Sequence, residues 1–85
     1  MRSEQVMKQI GKHMRAIRNE KGVVVPSLEE KSGWSEDAIY ALERGRNINL
    51  NLPMLCNVLD AMGATPDDFR RVFTFTDEEV EEWEL

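Results

Sequence analysis

The chain is poor in the residues that build metal and redox centres. Its 85 residues include one cysteine, Cys56, and one histidine, His13. An internal disulfide needs two cysteines, and a structural zinc site needs a set of Cys and His ligands that this chain lacks. Cys56 lies in the apolar pattern LPMLCNVL, which predicts a buried thiol. His13 has no partner at useful spacing, so we expect it at the surface and outside any catalytic group.

Clustered glycines and long apolar runs are also missing. The five glycines are scattered, so there is no phosphate-binding glycine loop. The longest apolar run, residues 23–26, is far too short to cross a bilayer, and the opening MRSEQVMKQIGKH lacks the apolar centre of a signal peptide. No acid–base or nucleophile constellation appears. We therefore expect a cytoplasmic protein with no membrane contact, no cofactor and no enzymatic activity.

Acidic charge is concentrated at one end of the sequence. The net charge is −5, from 11 basic and 16 acidic residues, which argues against a nucleic-acid binder. Residues 77–85, however, hold six acids and no base, and the rest of the chain has 11 basic against 10 acidic residues. The body is thus close to neutral, and the tail makes the whole chain acidic.

Apolar spacing predicts a single all-helical domain. Val6, Ile10, Met14 and Ile17 recur at steps of four, four and three residues, which is one face of a helix over about residues 3–21. The second helix must end by Gly33, and the sequence leaves two starts open. It begins near Val25 with a proline in its first turn, or at a Ser27 cap with Glu30 completing a capping box.

Capping signals mark the later helices. Side-chain oxygens suited to N-caps open the third, fourth, fifth and tail helices at Ser35, Asn51, Thr65 and Thr76. The inward face of the fourth helix is predicted to contain Leu52, Leu55, Cys56, Leu59 and Met62.

Four stretches follow one another at a specific spacing: IGKHMRAIRNEKG, EEKSGWS, AIYALERGR and LCNVLDAMGATPDDF. Together they resemble the Cro/cI (lambda-repressor-like, XRE-type) helix-turn-helix domain over roughly residues 6–70. The resemblance implies a compact five-helix domain at residues 1–75, followed by a short acidic tail helix at 76–85. It also implies an Arg18–Glu43 ion pair between the first and third helices.

In such domains the third helix enters the major groove of DNA and its flanks contact phosphates. The resemblance places four residues toward the bases: Ser35, Glu36, Asp37 and Ala41. It places four others near the backbone: Tyr40, Arg44, Arg46 and Asn47. The partner implied is operator-like double-stranded DNA, bound by a repressor-type regulator.

Three departures from the family pattern keep a second hypothesis open. Val24 and Val25 stand where a polar cap and a glutamine are usual, and Glu29 replaces a small residue. Glu36 and Asp37 are acids on the groove-facing side, where they either read cytosine or merely stabilise the start of the helix. The alternative is a helix-turn-helix scaffold that binds a protein, as an antitoxin or anti-repressor does.

Apolar residues near the C-terminus predict self-association. A core this small is not expected to bury all of RRVFTF, so a homodimer interface is predicted at Val72, Phe73, Phe75 and Trp83. Val80 and Trp83 share one side of the tail helix, which should dock on the body or on a second copy. Another protein could also dock on the tail or on Val23, Val24 and Val25. The tail's acids are expected either to disfavour non-specific DNA contact or only to keep the protein soluble.

Overall fold

The structure is a computed structural model that describes residues 2–46 and 51–83. Within these ranges it contains six helices and no strand, which confirms the all-α prediction. In chain order they are α1 (Arg2–Glu20), α2 (Val25–Ser32), α3 (Glu36–Glu43), α4 (Leu52–Ala61), α5 (Pro66–Val72) and α6 (Asp77–Glu81). None of the described helices is long and apolar enough to cross a membrane.

The core is built by one face of each of the first five helices. Its buried apolar side chains are Ile10, Met14, Ile17, Val25, Leu28, Ile39, Leu42, Met54, Leu55, Val58, Leu59, Met62 and Val72. In α4 the predicted face was partly wrong, because Leu52 is exposed and Cys56 is only half-buried. The inward stripe passes through positions 54/55, 58/59 and 62, so Cys56 lies at its edge, and Leu52, the first residue of α4, lies before the stripe begins.

The second helix takes the first of the two predicted starts. It begins at Val25 with a proline in the first turn, and its N-cap, Val24, makes no side-chain capping bond. Val25 is buried in the core and Val23 packs against it, whereas Val24 is 60% exposed. Of the three valines that the sequence suggested as a docking strip, Val23 to Val25, only Val24 is therefore exposed.

The other helix starts follow the capping prediction. Ser35 accepts a hydrogen bond from the N–H of Ala38 and Asn51 from that of Met54. Thr65 and Thr76 each form a reciprocal capping box with the acid three residues later. These bonds close within four residues of chain, so the local sequence fixes them.

Two glycines let α1 lie directly against the end of α3. A Cβ atom at Gly11 would overlap the backbone carbonyl oxygens of Leu42 and Glu43. One at Gly45, where φ is +69°, would overlap the backbone of Lys8. Only hydrogen fits at either place, so the two backbones come close together and α3 is held against α1.

The tail helix α6 packs on the side of α1. His13 Nδ1 donates to the carbonyl oxygen of Val72 at 3.0 Å, and His13 Nε2 lies 2.6 Å from Glu79 Oε2. Gln9 Nε2 donates to Glu82 Oε2 at 2.7 Å. The expectation of a surface histidine was therefore wrong, because both ring nitrogens have partners more than 50 residues away in sequence, which spacing cannot reveal.

An aromatic contact completes the docking of α6. Phe75 stacks edge-on against Trp83, with ring centroids 4.8 Å apart, and its other side contacts the His13 ring. Val80 is 43% exposed, whereas Trp83, the other residue predicted to share the docking face, is half-buried against Phe75. Burial raises the pKa of Glu79, but the bonds from Thr76 and His13 outweigh it and hold that pKa below its ordinary value.

Candidate nucleic-acid interface

Helices α2 and α3 are joined by a tight turn. Gly33 ends α2 in the left-handed region, at φ +81°, and its N–H donates to the carbonyl oxygen of Glu29. Two residues later Ser35 begins α3. The turn sets the two short helices against each other in the arrangement that the family resemblance predicts.

The predicted base-facing residues lie away from the core on α3. Ile39 and Leu42 are buried and fix the inward face of the helix. Ser35 and Asp37 are exposed, whereas Glu36 and Ala41 are half-buried. Ser35, Glu36 and Asp37 thus stand at the N-terminal end of α3, and Ala41 lies one turn beyond Asp37.

Glu29 has a role that the sequence did not reveal. Its carboxylate accepts a hydrogen bond of 2.7 Å from the backbone N–H of Glu36, the first residue of α3. A carboxylate at this end of a helix is favoured by the helix dipole and satisfies an otherwise unpaired N–H. The departure from a small residue at position 29 therefore supplies a bond between α2 and α3. Only the geometry of the turn brings these two positions together.

Arg18 and Glu43 lie within hydrogen-bonding distance. Arg18 Nε donates to Glu43 Oε2 at 2.6 Å and Arg18 Nη2 to Glu43 Oε1 at 3.0 Å. Arg18 Nη1 also donates to the carbonyl oxygen of Val23. The bond to Glu43 raises the pKa of the guanidinium group against the opposing effect of burial. This bidentate pair holds α1, the loop before α2 and the last residue of α3 together.

The predicted backbone-contacting residues form a rim at the end of α3. Tyr40, Arg44 and Arg46 are all exposed. The Arg44 guanidinium carbon lies 5.6 Å from the centre of the Tyr40 ring, a cation–π geometry. Asn47, the fourth residue of this set, lies outside the described residues.

The residues predicted for a dimer interface separate into three environments. Val72 is wholly buried in the core and offers no surface to a second copy, so the expectation for this residue is corrected. Phe75 and Trp83 contact each other within the chain. Phe73 is 45% exposed, a larger fraction than any of the other three. The alternation arises because α5 turns position 72 inward and its C-cap, Phe73, outward.

Comparisons with known proteins agree with this architecture. No curated protein matches the sequence. Among solved structures, the crystal structure of the clp gene regulator ClgR from C. glutamicum superposes with a TM-score of 0.70 at 30% sequence identity. That match covers 80% of this chain and 88% of the ClgR chain. A family model described as a helix-turn-helix domain matches residues 9–73. On this match, and on the α2–turn–α3 unit that it spans, the chain belongs to the helix-turn-helix domain family.

Proposed function

We propose that this protein is a sequence-specific DNA-binding transcription regulator of repressor type, with α3 lying in the major groove. The observation that carries the proposal is the α2–turn–α3 unit, which presents the outer face of α3 next to exposed Tyr40, Arg44 and Arg46. Similarity to ClgR, a clp gene regulator, supports the same class of function.

We assign the reading of bases and the positioning of the protein on the DNA backbone to different residues. Glu36 and Asp37, with Ser35 and Ala41, face the base edges, and a carboxylate there can accept a hydrogen bond from cytosine N4. Tyr40, Arg44, Arg46 and Asn47 contact phosphates, which orient the protein without reading sequence. Glu29 supports this division because its bond to the N–H of Glu36 steadies the end of α3 that enters the groove.

A homodimer would present two copies of the DNA-binding face to one duplex. Two copies place two reading helices about 34 Å apart, one turn of duplex, on a symmetric site. Phe73 is the proposed centre of the contact, since it is the exposed aromatic residue of the α5 end. Sedimentation at micromolar concentration should show a dimer that Phe73→Asp converts to a monomer. A parent protein that sediments as a monomer would reject this part of the proposal.

The direct test is binding to the DNA upstream of the gene that encodes this protein. Fluorescence anisotropy at low and moderate salt should show binding that weakens steeply as salt rises. Glu36→Ala is expected to relax the preference at one base pair, a C·G, by about 1–3 kcal/mol. Arg46→Ala should instead weaken all sequences about equally. If the two variants lost specificity alike, the assigned division between reading and positioning would be wrong.

A protein-binding module is the second candidate function. It is favoured by the acids at the start of α3 and by the exposed Val24 at the start of α2. Such a module, acting as an antitoxin or anti-repressor, should show no binding to the upstream DNA at either salt concentration. The anisotropy experiment therefore separates the two candidates.

A further inference from the structure

A small basic niche lies between α1 and the end of α3. It is lined by Arg15, Arg18, Tyr40, Glu43 and Arg44. Arg18 and Glu43 neutralise each other at its base, where their side chains are 12% and 5% exposed. Arg15 and Arg44 are exposed, and within the described part of the chain neither has an ion-pair partner. The niche therefore carries two uncompensated positive charges and the Tyr40 hydroxyl, a set that suits an anion with several oxygen acceptors.

The niche adjoins the groove-facing side of α3. Tyr40 follows Glu36 by four residues and Arg44 follows Tyr40 by four, so the three form one line along the helix. This line runs beside Asp37 and Ala41. With the outer face of α3 in the groove, a protein group on the 40/44 line lies over one sugar–phosphate strand. Arg15 extends that line from α3 onto α1, a helix to which the sequence assigned no contact.

We infer that the niche binds one phosphodiester group of the duplex, held between Arg15 of α1 and Arg44 of α3. The Arg44 guanidinium lies over the Tyr40 ring, and both residues line the niche. The Arg18–Glu43 pair makes the floor rigid, so the phosphate fixes how far α3 turns in the groove. Arg15 is thus a positioning residue that ties α1 to the backbone. This inference rests on the proposed function.

The experiment compares two charge-matched variants of the full chain. Arg15→Gln removes the niche cation, and Lys12→Gln removes an exposed cation one turn earlier on α1 that does not line the niche. Binding to the upstream DNA and to a mixed-sequence duplex of equal length is measured across a salt series. Arg15→Gln should reduce the slope of log K against log salt by about 1 and weaken both duplexes equally. Lys12→Gln should leave the slope near that of the parent, and Arg15→Lys should restore most of it.

Equal slopes for Arg15→Gln and Lys12→Gln would overturn the inference while leaving the proposed function intact. Failure of the parent protein to bind either duplex would overturn both. A third arm adds inorganic phosphate alone and follows the arginine Nε–H signals by NMR. If phosphate shifts the Arg15 signal while Arg15→Gln leaves duplex binding unchanged, the niche takes a free anion, and the assignment to the DNA backbone is wrong.

Discussion

Glu43 is a carboxylate that folding removes from water, and Arg18 offsets the cost. The pair is bidentate, with both distances at or below 3.0 Å, and it is nearly closed to solvent. The net contribution of such a pair to stability is small, but leaving one member buried and unpaired is costly. Arg70 and Asp67 form the opposite case, because their side chains are 76% and 78% exposed.

Arg18→Met should therefore lower the free energy of unfolding by about 3–5 kcal/mol, because Glu43 keeps its burial and loses its partner. Arg70→Met is the control and should cost about 0–1 kcal/mol. Urea denaturation followed by circular dichroism measures both. A change for Arg18→Met no larger than that for Arg70→Met would mean that Glu43 regains water when its partner is removed.

Asp68 couples the start of α5 to the end of α1. Its carboxylate accepts from the N–H of Thr65 and lies 2.9 Å from the Lys21 ammonium group. The Thr65 backbone bond and then the Lys21 contact lower its pKa from 3.8 to about 2. Because the folded pKa lies below the unfolded value, the stabilisation is complete above about pH 4. It is lost as the pH falls toward about 2.

Asp68→Asn should accordingly remove part of the acid sensitivity of the fold. We expect the midpoint of thermal unfolding of the parent to fall between about pH 4 and pH 2, and the fall to be smaller in the variant. Asp67→Asn is the matched control, since its exposed side chain neighbours Asp68 and caps no helix. Parallel pH profiles for the parent and Asp68→Asn would show that this carboxylate is not linked to folding.

Residues close in sequence fix where the helices of this protein start, and residues distant in sequence fix how the helices pack. Ser35, Thr65 and Thr76 bond to residues three positions ahead, so the sequence alone located those starts. The partners of His13 and Glu29 come from other helices, and no local pattern indicated them. Val72 and Phe73 were equally apolar in the sequence, and only packing decided which one is buried.

His13→Leu tests the attachment of α6 to α1. The change removes the contact of His13 with Glu79 of α6 and its contact with Val72 at the end of α5, so α6 should loosen from α1 and Trp83 should become hydrated. Fluorescence in a Trp34→Phe background, where Trp83 is the remaining tryptophan, should show a red-shifted emission. Lys12→Leu changes the neighbouring exposed residue and should leave the emission unchanged. A blue emission maximum in His13→Leu would show that the Phe75–Trp83 and Gln9–Glu82 contacts hold α6 in place without His13.

On the scale of the whole molecule, charge is separated in space as well as in sequence. The basic niche lies on the α3 side of α1, where Arg18 meets Glu43. The acids of α6 dock elsewhere on α1, through Gln9 and His13. A repulsion between these acids and DNA phosphates reaches about 10 Å at 0.1 M salt. Under the proposed function the tail opposes loose contact with any duplex, and the net charge of −5 is compatible with DNA binding.

Neutralising Glu78 and Glu81 isolates this electrostatic effect. Both side chains are exposed, and among the described residues neither forms a bond that holds α6 in place, so Glu78→Gln/Glu81→Gln should leave the fold unchanged. Affinity for a mixed-sequence duplex should rise at low salt, and the difference from the parent should vanish at high salt. Fluorescence anisotropy measures both. An unchanged affinity at low salt would show that the tail does not oppose DNA contact and only keeps the protein soluble.

Gly11 and Gly45 also limit which substitutions this sequence can accept. In a library randomised at position 11, every other residue adds a carbon atom only 2.2 Å from the carbonyl oxygen of Leu42. Folded survivors should therefore retain glycine at position 11. At position 22 nothing lies within 4 Å of an added Cβ, so other residues that accept a positive φ should appear there. The contact between α1 and α3 thus makes the scaffold intolerant of variation and leaves the outward positions of α3 free to vary. Under the proposed function, new preferences for DNA sequence can then evolve on α3 without remodelling the fold beneath it.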